Sequence, residues 1–175
     1  MKRLSLLALT LLAGFATHAQ SVKELDNKYG FRDLKFGTDT SAVEGLVAVE
    51  RRGDRVVYTR PNDKLKVGES TINRITYTFD RGKLVSIQLT TNRTASQPNN
   101  MANSRALRNA LEEQYGEGER VGEQDRNWKG ERVLMIYREA PAYYDAKVRI
   151  STKEFEESNK LNNKVMKTKK AASDL

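Results

Sequence analysis

The chain of 175 residues has no cysteine and a single histidine, His18. That histidine sits in a stretch read below as a removable leader. A body without either residue cannot assemble a Ser-His-Asp or Cys-His catalytic site. It also lacks the usual ligand sets for zinc, copper or haem. Disulfides and thiol chemistry are excluded with the cysteines. Ser-x-x-Lys and Gly-x-Ser-x-Gly are missing, which removes common hydrolase signatures, and no Asp-x-Asp/Asn-x-Asp/Asn-Gly calcium loop occurs. The expectation is a protein that works without a cofactor and is not an enzyme.

Long apolar runs are also missing, with one instructive exception. Lys2 and Arg3 precede a charge-free run from Leu4 to Ala16, followed by Thr17-His18-Ala19. Basic start, short apolar centre and small residues before the cut are the three parts of a secretory signal, and cleavage is expected after Ala19. The run is too short for a membrane helix of about 20 residues, so no transmembrane or lipid anchor is expected and the product should be periplasmic or secreted. The Gln20 that would then begin the chain resembles the start of exported proteins of the Bacteroidetes.

What is present is charge and period-two patterning. Of 31 basic residues two lie in the leader; the remaining 29 face 23 acidic ones, a net charge of +6. Much of this excess sits from Lys160 onward, where five lysines meet one acid, Asp174. Such a balance, with no basic face to read from the sequence, argues against nucleic acid as a partner.

The stretch Phe36 to Leu46 reads as a short helix capped by Thr38 or Asp39, with Ala42, Val43 and Leu46 on one side. Strands follow. Val56 to Arg60 is short; Ile75, Tyr77 and Phe79 share one face; Val85, Ile87 and Leu89 repeat the alternation. Asp80 to Lys83 joins the last two as a hairpin, with Gly82 available for positive φ. Thr94 to Asn103 reads as a linker around Pro98. Leu107, Leu111 and Tyr115 then mark a helix stopped by Gly116. Three further strands follow: Arg126 to Trp128, then Arg132 to Arg138 with an apolar run suited to burial on both faces, then Tyr144 to Ile150. Arg52-Gly53-Asp54 reads as a turn before the first strand, and Tyr115 to Gly122 as a helix stop rather than a nucleotide loop, because its glycines follow a helix.

These readings predict an α+β fold of two αβββ units, with helices packed on one face of an antiparallel sheet. The organisation expected is a leader over 1–19, one domain over 20–152 with halves of about 30–93 and 101–152, and a polar basic helix and tail over 153–175.

The segments "KFGTDTSAV", "ITYTFDRGKLVSIQL" and "ALRNALEEQYG", with the later Trp-x-Gly turn at Trp128, resemble small exported domains of the β-lactamase-inhibitor-protein-like and SmpA/OmlA-like fold group. The resemblance implies helices on one face of an antiparallel sheet and a role in binding other proteins. SmpA/OmlA proteins carry a lipidated cysteine that this chain lacks.

Candidate interface residues are Trp128, Tyr143 and Tyr144, aromatics beside turns. Lys164, Lys167, Lys169 and Lys170 are candidates for contact with anionic lipid or polysaccharide. The expected function is a non-catalytic binding or structural module of the cell envelope whose partner is another envelope or extracellular protein. The competing class is a carboxylate-dependent glycan hydrolase, for which Asp33, Asp80 and Asp145 are the candidate acids.

Overall fold

The fold is that of a computed structural model and is described for residues 22–162. The leader expected over residues 1–19 and the tail lysines Lys164, Lys167, Lys169 and Lys170 lie outside those residues. A helix over 22–28, α1, leads into the two-residue strands β1 (Gly30–Phe31) and β2 (Leu34–Lys35). Next come β3 (Val47–Arg52), β4 (Arg55–Thr59), β5 (Lys66–Val67), β6 (Ser70–Asp80) and β7 (Lys83–Thr91). Helix α2 (Gln97–Tyr115) separates these from β8 (Glu119–Arg120), β9 (Arg126–Lys129), β10 (Val133–Glu139) and β11 (Ala146–Thr152). A helix over 153–162, α3, closes the described chain.

All pairings are antiparallel, and the main sheet runs β3-β4-β6-β7-β11-β10-β9-β8, with β5 paired to β6. The α+β class and the antiparallel sheet are as the alternation predicted. The sheet consists of two meanders, β4-β6-β7 and β9-β10-β11, joined where β7 meets β11. The units are not two copies of αβββ. Where the first helix was expected there is one 3-10 turn, Thr40–Ala42. Asp39 makes no capping bond, because its carboxylate pairs with Lys83 Nζ at 2.8 Å. The backbone N–H and hydroxyl of Thr40 both donate to Gly82 O. This segment is thus stitched to the β6–β7 hairpin and then leaves as strand β3.

The hairpin is as the sequence predicted. Asp80 pairs with Lys83, and Arg81 and Gly82 take φ of 48° and 78°, the positive values that a two-residue turn matching strand twist requires. An irregularity between Thr78 and Phe79 shifts the register, so Leu84 rather than Val85 joins the core.

The core lies on one sheet face, where Ile75, Tyr77, Ile87, Leu89, Val148 and Ile150 meet Leu107 and Leu111 of α2 and Leu25 of α1. On β10, Val133, Met135 and Tyr137 are buried, whereas Leu134 and Ile136 are half-buried on the other face. The expected linker is in fact the first two turns of α2. Ser96 accepts from the N–H of Asn99, Pro98 occupies the first turn where its missing N–H costs nothing, and Gly116 closes the helix at φ 72°. The polar residues that suggested a loop bind the backbone of neighbouring strands, loops and turns instead. Asn103 accepts from Thr71 N at 2.8 Å and donates to Thr71 O at 2.9 Å. Asn100 bonds the backbone of Thr94 and Tyr143, and Ser104 donates to Tyr144 O.

Helix α3, where a polar basic helix was expected, packs on the sheet. Thr152 accepts from the N–H of Phe155 at its start, and Glu156, only 6 % exposed, accepts from Ser151 Oγ at 2.8 Å and pairs with Arg149 at 3.0 Å. Arg149 and Ser151 alternate with the core residues Val148 and Ile150, so α3 lies on the face opposite α2.

Three tyrosines tie the core to polar groups. Burial pushes the Tyr115 phenol up to about 12, and raises Tyr77 and Tyr137 further, each with a hydrogen bond to a carboxylate, Asp63 and Glu139. A phenol whose folded value is raised stabilises the fold fully below its unfolded value near about 10. That stability is lost as pH climbs through the folded value. The protein should therefore lose stability from about pH 10 upward. In an absorbance titration these three phenols should ionise together with unfolding; ionisation in the intact fold at the ordinary value would contradict the assignment.

Candidate functional site

Strand alternation leaves the second sheet face lined by Thr76 and Thr78 of β6 and by Ser86 and Gln88 of β7. Short polar side chains there cannot build a core, and the face stays partly open. Helix α3 walls one part of it through Phe155 and Asn159, and β3 borders it through Val49, Glu50 and Arg52. The result is a trough of about 450 Å³. Arg55 anchors α3 over it: its guanidinium pairs with Asp80 at 3.2 Å, donates to Asn159 Oδ1, and sits 4.8 Å from the centre of the Phe155 ring.

The edge of this trough is exceptional in the fold. Every residue of β3 is exposed, with Val47 at 50 % and Val49 at 51 %. β3 pairs with β4 alone, so alternate N–H and C=O groups along its outer side face away from the sheet. Val49 is skipped in the register between Ala48 and Glu50, a bulge. The β3–β4 turn carries Arg52-Gly53-Asp54, with Gly53 at φ 58°, so that tripeptide is a hairpin turn.

A larger hollow of about 690 Å³ lies between α1 and the β9–β10 turn, lined by Asp26, Glu119 and Glu131 among others. Two of these carboxylates are structural. Asp26 accepts backbone N–H bonds from Glu131, from Arg132 at 2.9 Å and from Val133 at 2.9 Å. Glu119 pairs with Lys129 at 2.5 Å. A Cβ on Gly130 would enter the Asp26 carboxylate, which is why this Trp-x-Gly turn ends in glycine.

The candidate acids Asp33, Asp80 and Asp145 sit on three separate turns. Asp33 pairs with Arg60 at 3.2 Å, Asp80 with Arg55 and Arg81, and Asp145 closes the β10–β11 turn through its carbonyl. The sequence reading missed Asp63, which receives the Tyr77 hydroxyl at 2.8 Å and lies 3.9 Å from the same Arg60. Arg60 and Tyr77 thus occupy the oxygens that acid–base chemistry would need free.

Trp128 is no interface anchor. It is 1 % exposed, its indole N–H donates to Gly116 O at 2.7 Å, and Gly118 lies so close under the ring that a Cβ there would fall 2.7 Å from it. Tyr143 is exposed at 47 %, beneath the Arg93 guanidinium at 3.2 Å. Tyr144 is half-buried at φ 57°. Both belong to the β10–β11 turn and neither lines the trough. The signal for β3 was weak because a strand exposed on both faces shows no apolar alternation.

Asp26→Ala should cost about 1–3 kcal/mol, since three backbone donors lose their acceptor, and Asp26→Asn less, because one oxygen remains. Urea unfolding of both variants tests this, and equal stability of Asp26→Ala with the parent would overturn the structural role.

No helix among the described residues is long and apolar enough to cross a membrane, and no group of three metal-ligating side chains occurs among them. No curated protein matches the chain, and no solved structure does. The TP0088 domain model matches residues 29–160, from the start of β1 into α3, and the chain belongs to that family.

Proposed function

We propose that this chain is an exported, non-catalytic binding module that engages a protein partner by taking one of its extended segments against β3. The observation that carries the reading is β3 itself. Its first half, Val47 to Val49, carries no charge and two half-exposed valines, and no element among the described residues covers it; the devices that blunt an edge, charge and a bulge, begin only at Val49 and continue through Glu50, Arg51 and Arg52. Strand addition pairs the outward N–H and C=O groups and shields apolar side chains at once. The resemblance to inhibitor-protein-like domains points the same way. Export rests on the leader, with cleavage after Ala19, and places the partner in the periplasm or outside the cell. No cofactor enters the reading.

The test uses mature Gln20–Leu175 as bait for envelope proteins, beside Val49→Pro and a Val47→Lys/Val49→Lys variant. Val49 lies in the bulge, so proline there spares the paired positions of the β3–β4 ladder while blocking a new strand. A partner held by the parent should be bound about tenfold or more weakly by both variants at an unchanged melting temperature. Retention by both at full strength would contradict strand addition.

A further inference from the structure

The charges of the trough carry the reading of β3 one step further, to the chemistry of the partner. Most cations on this face are already matched: Arg52 by Glu50, Arg55 by Asp80, Arg149 by Glu156 and Arg138 by Asp125. Arg74 and Lys147 are not. Both are exposed, and neither has an ion pair among the described residues. They lie on one cross-strand row, since Thr90 of β7 is the register partner of Arg74 on β6 and of Lys147 on β11. Two strand spacings separate them, roughly 10 Å. Asp145, two residues before Lys147, makes no ion pair with it among the described residues. Arg74 lines the same trough that β3 borders, and Lys147, outside that lining, continues the cross-strand row from Arg74 on to β11.

Unmatched cations over hydroxyl and amide side chains complement carboxylates. The trough offers no free aromatic face of the kind on which sugars stack, because the Phe155 ring is taken by Arg55. The adjoining edge offers main-chain donors and acceptors at strand spacing, which a polypeptide matches. We infer that the trough takes an acidic polypeptide segment, with carboxylates met by Arg74 and Lys147. This identification rests on the strand-addition reading of β3.

The probe is labelled poly-L-glutamate, titrated by fluorescence anisotropy into the mature chain at low salt. The Arg74→Ala/Lys147→Ala variant should weaken binding about tenfold. A charge-matched control, Lys35→Ala/Lys64→Ala, removes two exposed lysines that lie neither in the trough lining nor on a strand of the main sheet and should weaken it by no more than about twofold. Val49→Pro should leave this titration within the same twofold, because a flexible polyacid reports on the cations and not on the ladder. Failure of strand addition would thus appear only in partner capture, and failure of the acidic site only here. Equal weakening by the two double variants would overturn the inference. So would polygalacturonate binding as tightly as polyglutamate with the same dependence on Arg74 and Lys147, since the surface would then be reading a glycan.

Discussion

The pairing of β7 with β11 is the contact on which the rest of the molecule depends. Each strand is the last of its own meander, and their antiparallel register, from Lys147 opposite Thr90 to Ser151 opposite Ser86, makes one sheet of two halves. It also sorts the faces. Ile87, Leu89, Val148 and Ile150 point to the core beneath α2, and Gln88, Arg149 and Ser151 to the other side. A slip of one residue would exchange the two sets. The core, the docking of α3 through Glu156 and the composition of the trough all follow from that one register.

Because the strongest pairs lie in the middle, the sheet is uneven at its ends. β8 is a two-residue edge, too short to template another strand. β3 is six residues long, and no element among the described residues covers it. The asymmetry gives the fold one serviceable edge, and that edge opens onto a face whose polar side chains would be poor core material. The same face carries the buried Glu156, matched by Arg149 and Ser151. A carboxylate so placed tolerates burial because its oxygens are hydrogen-bonded and its charge is paired. The polar face is therefore sealed under part of α3 and solvated elsewhere.

The parts of this arrangement that were legible in the sequence are those in which burial imposes a period. Ile75, Tyr77 and Phe79 alternate because one side is core, and Leu107, Leu111 and Tyr115 recur by four because α2 presents one stripe to it. β3 was illegible for the opposite reason: with nothing buried, Val47 to Arg52 carries no alternation. The first turns of α2 were hidden because Asn103 binds the backbone of β6 at Thr71 while Asn100 and Ser104 bind that of Thr94 and of the β10–β11 turn, a use that looks like a loop until the fold is in place. The sequence left Trp128 open between a core role and an interface anchor, because proximity to a turn does not disclose that its ring lies over Gly118 and its N–H on Gly116 O. The trough needs residues from β3, β6, β11 and α3 together, and only the fold supplies that convergence.

The most direct measurement of the central claim is amide hydrogen exchange on residues 20–175, free and with a captured partner. In the free protein the β7–β11 amides should be the slowest and those of β3 among the fastest in the sheet. Partner binding should slow exchange in β3 and along the trough while leaving α2 unchanged. Protection confined to α2, or to the Tyr143 turn, with β3 unaffected would contradict the account.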